Sequence, residues 1–281
     1  MNDDNKNIKD LVEPGFDIAG NSAGSAVGAI AGGTIAGPPG IIVGAVGGAL
    51  LSTAFSKAGK EIKERFLSKR EIERIGAVAI FAINKINENF HDGQLLRDDG
   101  FFSQESKFKQ SAADEILEKT LLAAQRETEE NKIRYLGNLY GNISFHSEVG
   151  KIEANRLIRI AQDLSFNQMC ILAFINEVEN HYSENETNFR GVPVRLKEGY
   201  IYFENDPNDF CFAIFANELE DISNKKLIGT LGEISSGSNV PKDMRLTPLG
   251  KKLCELLELK KIDTDLICKS IKFMLQKQGS R

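Results

Sequence analysis

The chain is poor in the residues on which most enzymes depend. Its three histidines, His91, His146 and His181, lie far apart, and there is no Gly-x-Ser-x-Gly elbow, phosphate-binding loop, dinucleotide fingerprint or His-Glu-x-x-His pair. Its four cysteines, Cys170, Cys211, Cys254 and Cys268, form no Cys-x-x-Cys pair and have no histidine at metal-ligand spacing. They read as free thiols of a reducing cytoplasm. The acidic pairs Asp98-Asp99 and Glu129-Glu130 read as ordinary solvated positions, so no catalytic residue, metal or cofactor is expected and the protein is read as a non-enzyme.

An excess of positive charge is also missing. With 35 Lys and Arg against 40 Asp and Glu, a net charge of −5 and a pI near 5.5, the surface as a whole repels phosphate, and nucleic acid is not an expected partner. The N-terminus carries Asp3, Asp4 and Asp10 where a secretory leader would carry a basic stretch followed by a Leu-rich core. The body is therefore expected in the cytoplasm at synthesis.

The outstanding absence is local. From Ile18 to Ser56 there is no charged residue, a gap of 39 positions between Asp17 and Lys57 in a chain that is otherwise 27% charged. Within it Gly20, Gly24, Gly28, Gly32, Ala36, Gly40, Gly44 and Gly48 fall in strict steps of four. Ile30, Ile35, Ile41, Ile42, Val43, Val46, Leu50 and Leu51 lie between them, which no flexible Gly/Ser linker would show. Steps of four place the small residues in one stripe along a helix, where backbones approach closely and van der Waals contact holds helices together in lipid.

Pro38 and Pro39 interrupt the segment without shifting its phase and predict a turn or kink. Ile18 to Gly37 is 20 residues and Gly40 to Phe55 is 16, or about 30 Å and 24 Å as helix, against a hydrocarbon core of about 30 Å. A membrane hairpin of two short spans is expected, the second needing local thinning of the bilayer. Ten glycines lie between Gly20 and Gly48, and at up to about 1 kcal/mol each they cost on the order of 10 kcal/mol of helix stability. A single copy is thus a poor helix and a poor inserter, and several copies packed together offset both deficits. Downstream, Lys57, Lys60, Lys63, Arg65, Lys69 and Arg70 outnumber Glu61 and Glu64. Lys57, Lys60, Lys63 and Arg65 are candidate contacts to anionic headgroups, and the positive-inside rule keeps this flank cytoplasmic.

Past this flank the periodicity is that of a globular protein. Glu71 to Phe90, Ser111 to Tyr140, Glu148 to Leu164 and Phe166 to Tyr182 predict amphipathic helices, with Ser165 as an N-cap and the charged stretch Gln125 to Lys132 bent or exposed. Phe101, Phe102, Phe145 and Phe166 read as core or interface. Beyond His181, Val192 to Phe203 predicts a hairpin around Glu198-Gly199 and Phe212 to Ser223 a helix. Two short strands are expected within Leu227 to Leu246, and Thr247-Pro248 opens the helix Leu249 to Leu259. Thr264 to Gln278 predicts a final amphipathic helix. This order resembles a winged-helix module, a fold that often binds DNA. Here the candidate reading helix carries Glu218, Glu220 and Asp221, and protein contact is the favoured use.

The expected fold class is mainly α. Residues 1–17 form an acidic tail, 18–56 a glycine-zipper membrane-active segment, 57–163 a helical bundle, 164–260 a winged-helix-like α+β module and 261–281 a C-terminal helix. A segment like Gly20 to Gly48 joined to a cytosolic helical body resembles bacterial phage-defence effectors that form membrane pores, including the ring-interacting pore type. That resemblance implies abortive infection: a ring-shaped phage protein templates homo-oligomerisation, and the protein moves from the cytoplasm to the inner membrane. No binding residue is carried over from it. A membrane-tethered winged-helix regulator and a phage-encoded lysis or ejection component remain open alternatives.

Overall fold

Ser68 opens the folded body. Its hydroxyl accepts from the Glu71 amide at 3.3 Å while the Glu71 carboxylate accepts from the Ser68 amide at 2.7 Å, a reciprocal cap that satisfies two amides of the first turn. A hydrogen bond from the Gln125 side chain, added to those from Ser68, holds the Glu71 carboxyl down at about 2. The computed structural model describes residues 54–55, 68–104, 110–181, 188–190, 192–197, 200–203, 210–230 and 244–275. Among them the protein is mainly α. The chain divides between Asp163 and Leu164 into two compact units.

The first unit holds α1 (Lys69–His91), α2 (Ala112–Arg126), α3 (Ile133–Ile143) and α4 (Lys151–Asp163). On α1 the buried stripe runs Ile75, Ala79, Ala82, Ile86, the spacing of one helix face. On α2 it is Ile116, Leu117, Leu121 and Ala124, behind a second reciprocal cap between Ser111 and Asp114. Nearly every residue of α3 is buried, so α3 is the central helix of the unit.

The run Ser111 to Tyr140, expected as one helix, is two. Glu127 is extended (φ −72°, ψ 130°), and a short 3-10 turn, Glu130–Lys132, precedes α3. The charged middle bends, as expected, and leaves Arg126, Thr128, Glu129 and Glu130 exposed while Glu127 and Lys132 turn inward. Glu127 accepts from the amides of Thr128 and Glu129 and pairs with Lys132 at 2.5 Å, both side chains being more than nine-tenths buried. Lys132 also donates to the Gln162 carbonyl at 2.9 Å. Stretching one helix through this point would leave two charges buried and unpaired. Likewise α4 starts at Lys151, three residues later than expected, because residues 146–149 form turns.

In the second unit, α5 (Phe166–His181) follows the Ser165 cap, whose hydroxyl accepts from the Gln168 amide at 3.1 Å. It buries Met169, Cys170, Ile171, Leu172, Phe174, Ile175 and Val178. The strands β1 (Asn188–Phe189), β2 (Val192–Lys197) and β3 (Tyr200–Phe203), then α6 (Phe210–Asn224), β4 (Ile228–Thr230) and β5 (Met244–Leu246) follow. They pair antiparallel in the order β1-β2-β3-β5-β4, with Lys197 opposite Tyr200 and Ile228 opposite Leu246.

Thr247 caps α7 (Pro248–Leu257), accepting from the Gly250 amide at 3.0 Å and donating to the Lys226 carbonyl at 2.7 Å, with Pro248 in the first turn. A Cβ on Gly250 would sit 2.0 Å from the Leu227 carbonyl oxygen, which explains glycine at that place in Leu246-Thr247-Pro248-Leu249-Gly250. The helix stops two residues earlier than expected, where Glu258 turns left-handed (φ 58°), and α8 (Thr264–Leu275) closes the unit. Cys170, Cys254 and Cys268 are free and buried. Burial and the nearby Glu179 carboxylate push the Cys254 thiol up to about 12, so it is inert at neutral pH.

Candidate functional site

The membrane and oligomerisation stripe from Gly20 to Gly48, the Pro38-Pro39 turn and the headgroup contacts Lys57 to Arg65 lie outside the described residues. Within them falls the point where the uncharged segment meets the folded body. Ala54 and Phe55 are helical, and the Phe55 side chain has no exposed surface. Its ring meets Tyr140 edge to face, with centroids 5.8 Å apart and planes at 86°. Phe55 is thus at once the last apolar residue of the segment and a core residue of the first unit.

Tyr140 is held from several sides. It projects from α3, is itself fully buried, and its hydroxyl has no hydrogen-bond partner. Burial, reinforced by the negative charge of Asp114, pushes its phenol well above the ordinary tyrosine range. The seat stays neutral across the physiological range.

The helix that carries Tyr140 packs on α1 at backbone distance. A Cβ on Gly137 would lie 2.7 Å from the Val78 carbonyl oxygen and 2.9 Å from the Ala82 nitrogen. One on Gly141 would lie 2.8 Å from the Lys85 Cβ. Gly137-Asn138-Leu139-Tyr140-Gly141 is therefore a small-xxx-small contact whose partner is α1, at the same sequence spacing of four as Gly20 to Gly48. Its second glycine falls one residue past the expected helical run Ser111 to Tyr140.

Arg97 closes the far end of α3. Its guanidinium, 2% exposed, donates to the carbonyls of Ile143 at 3.3 Å, Ser147 at 3.3 Å and Val149 at 2.8 Å, pairs with Asp99, and lies 4.2 Å over the centre of the Phe101 ring. The hydrogen bonds from Arg97 hold the Asp99 carboxyl below its usual range. Asp98 and Asp99 are both exposed, as expected, and Asp99 is at the same time the counter-ion of the buried Arg97 cation. Phe101 is buried as expected, while Phe102, Phe145 and Phe166 are half-buried.

The polar groups elsewhere do not converge. His91 is exposed at the end of α1 and His146 pairs with Glu148 at 2.7 Å. Among the described residues no group of three or more His, Cys, Asp or Glu side chains could hold a metal ion. In the second unit Gly229, Arg245, Leu246, Thr247, Pro248 and Lys251 line an open groove of about 260 Å³, and Lys251 is balanced by Glu179 at 3.1 Å. Of the acids on α6, Glu218 accepts from the Gln168 side chain at 2.7 Å, and Glu220 and Asp221 are exposed. Among the described residues no helix is long and apolar enough to cross a membrane. No protein-family model, curated protein or solved structure matches this chain.

Proposed function

We propose that the protein is a non-enzymatic membrane pore-former of bacterial anti-phage defence, which homo-oligomerises through its glycine segment after the body engages a phage protein. The observation that carries this reading is the 39-residue uncharged run with eight small residues in steps of four. Such a stripe has a use only where another helix lies against it. The run's own side chains contribute little transfer energy, and its glycines cost on the order of 10 kcal/mol, so insertion is favoured by collecting several copies. A ring-shaped trigger with many identical sites does this by raising local concentration, with no strong contact required per subunit.

The body supplies what a sensor needs. The first unit is a helical bundle around α3. The second, with its order of helix, hairpin, helix, paired short strands and capped helix, fits a winged-helix-like module. Exposed Glu220 and Asp221 on α6 favour a protein partner over nucleic acid for that module. The body rests in the cytoplasm, and the segment reaches the inner membrane on activation as a hairpin turning at Pro38-Pro39.

Dye release from anionic liposomes tests the reading. Purified full-length protein alone should release little, and addition of a ring-forming phage portal protein should raise release at least about tenfold through effective concentration. Absence of release at any protein concentration, with or without the ring, would sink the pore assignment.

A further inference from the structure

Phe55 is subject to two demands that one molecule cannot meet together. In the folded body its ring is fully buried against Tyr140, with Ala54 beside it 2% exposed. In a membrane hairpin the second span runs from Gly40 to Phe55, 16 residues, or about 24 Å against a core of about 30 Å. That span is already short. Ending it at Thr53 would leave 14 residues, about 21 Å, and would remove its one aromatic ring. A chain with Phe55 in the bundle core cannot carry a full-length second span.

We propose that Phe55 is a retention latch: seated on Tyr140 it holds the end of the glycine segment in the body, and it must leave that seat before the second span can form. This rests on the pore-forming reading above. Phe55 is the one aromatic residue from Ile18 to Ser56, and burial of a phenyl ring contributes more than burial of the Ala and Val side chains common there. The seat is built to persist. Tyr140 stands between Gly137 and Gly141 on a helix pressed to α1 at backbone distance, and Arg97 fastens that helix's end. Withdrawal of Phe55 therefore need not dismantle the bundle, and the latch can open as a local event. The ring that leaves becomes the apolar end of the span it releases.

Hydrogen exchange on the full-length protein, read on a peptide covering residues 54–57 and on peptides from α2, α3 and α4, separates the outcomes. Phe55→Ala should speed exchange in the 54–57 peptide by on the order of a hundredfold, the scale of losing a buried ring, while the helices keep their protection. Tyr140→Leu keeps apolar volume and leaves the segment's own sequence intact, and should act the same way, by about tenfold. Unchanged exchange in that peptide in both variants overturns the latch. Uniform loss of protection through α2–α4 in both also overturns it, by making Phe55 an ordinary core residue. Liposome leakage measured beside exchange distinguishes this proposal from the one beneath it. Faster exchange with dye release in the presence of the ring protein supports both, and faster exchange with no release, with or without the ring, keeps Phe55 as a local retention contact and sinks the pore.

Discussion

Two stretches of this chain use small residues in steps of four, and they use them under opposite conditions. On α3, Gly137 and Gly141 are two glycines among Ile133, Leu136, Leu139, Tyr140 and Ile143, all buried, and α1 lies against them at backbone distance. Their cost in helix propensity, about 2 kcal/mol, is offset by large neighbours and an intramolecular partner. The N-terminal run has ten glycines between Gly20 and Gly48 and no charged residue from Ile18 to Ser56. The difference teaches that a glycine stripe is a demand for a partner. On α3 the chain supplies that partner itself, and the N-terminal run is read as needing further copies.

The sharpest break in this comparison is removal of the N-terminal stripe alone. Deleting residues 18–53 should abolish liposome dye release and cellular toxicity altogether while circular dichroism and melting of the body are retained. A toxic truncated body would show that the stripe is not the active element.

Where the cut ends tests the latch. A deletion of 18–55 takes Phe55 off its seat on Tyr140, and because the latch opens locally, denaturant melts should show the rest of the body about as stable as in the 18–53 deletion. A loss of about 3–5 kcal/mol, as for a core Phe truncated to Ala, would make Phe55 an ordinary core residue and contradict the latch.

The glycines of α3 should be intolerant of a methyl group, since Gly137→Ala forces a Cβ to within 2.7 Å of a backbone oxygen. A loss of about 1–3 kcal/mol is expected by chemical denaturation, the cost of overpacking. A neutral result would mean that α1 and α3 do not meet as closely as described.

A smaller effect belongs to the cap of α1. The hydrogen bonds from Gln125 and Ser68 hold the Glu71 carboxyl down at about 2, well below the ordinary carboxylate range, so its contribution is present above that range and is lost as pH falls towards 2. Gln125→Ala removes the hydrogen bond that does most to lower it, so stability at pH 7 should fall slightly, the difference from the parent should vanish as pH falls towards 2, and the acid limb of the melting profile should flatten. A steeper acid limb in the variant would reverse the sign of this assignment.

What the sequence made legible was carried by local signals. The helix over Glu71 to Phe90, the Ser165 cap, the antiparallel pairing of Lys197 with Tyr200 and the Thr247-Pro248 start each depend on residues within a few positions of one another. The charge of Gln125 to Lys132 pointed to a bend there, but its cause, a buried Glu127–Lys132 pair completed by the carbonyl of Gln162, depends on a residue 30 positions further on. Nothing local marks Arg97 as buried, since the carbonyls of Ile143, Ser147 and Val149 that receive it are brought in by the turn after α3. The seat of Phe55 was not legible in the sequence for the same reason. Apolar character marks Phe55 as the segment's last residue, and its assignment to the body comes from Tyr140, 85 positions later.

The most direct test of the central claim replaces Gly24, Gly28 and Gly44 together with Leu. The change raises both hydrophobicity and helix propensity, so a segment acting as a generic hydrophobic anchor would release as much dye or more. If close packing of the stripe is the mechanism, the added side chains hold backbones apart. The triply substituted protein should then reach the membrane and yield no high-order crosslinked species. Dye release should fall at least about tenfold, the loss of helix contacts worth more than 1.4 kcal/mol, while Ile30→Leu and Val43→Leu release dye as the parent does. Equal or greater leakage from the Gly24, Gly28 and Gly44 variant would contradict the account.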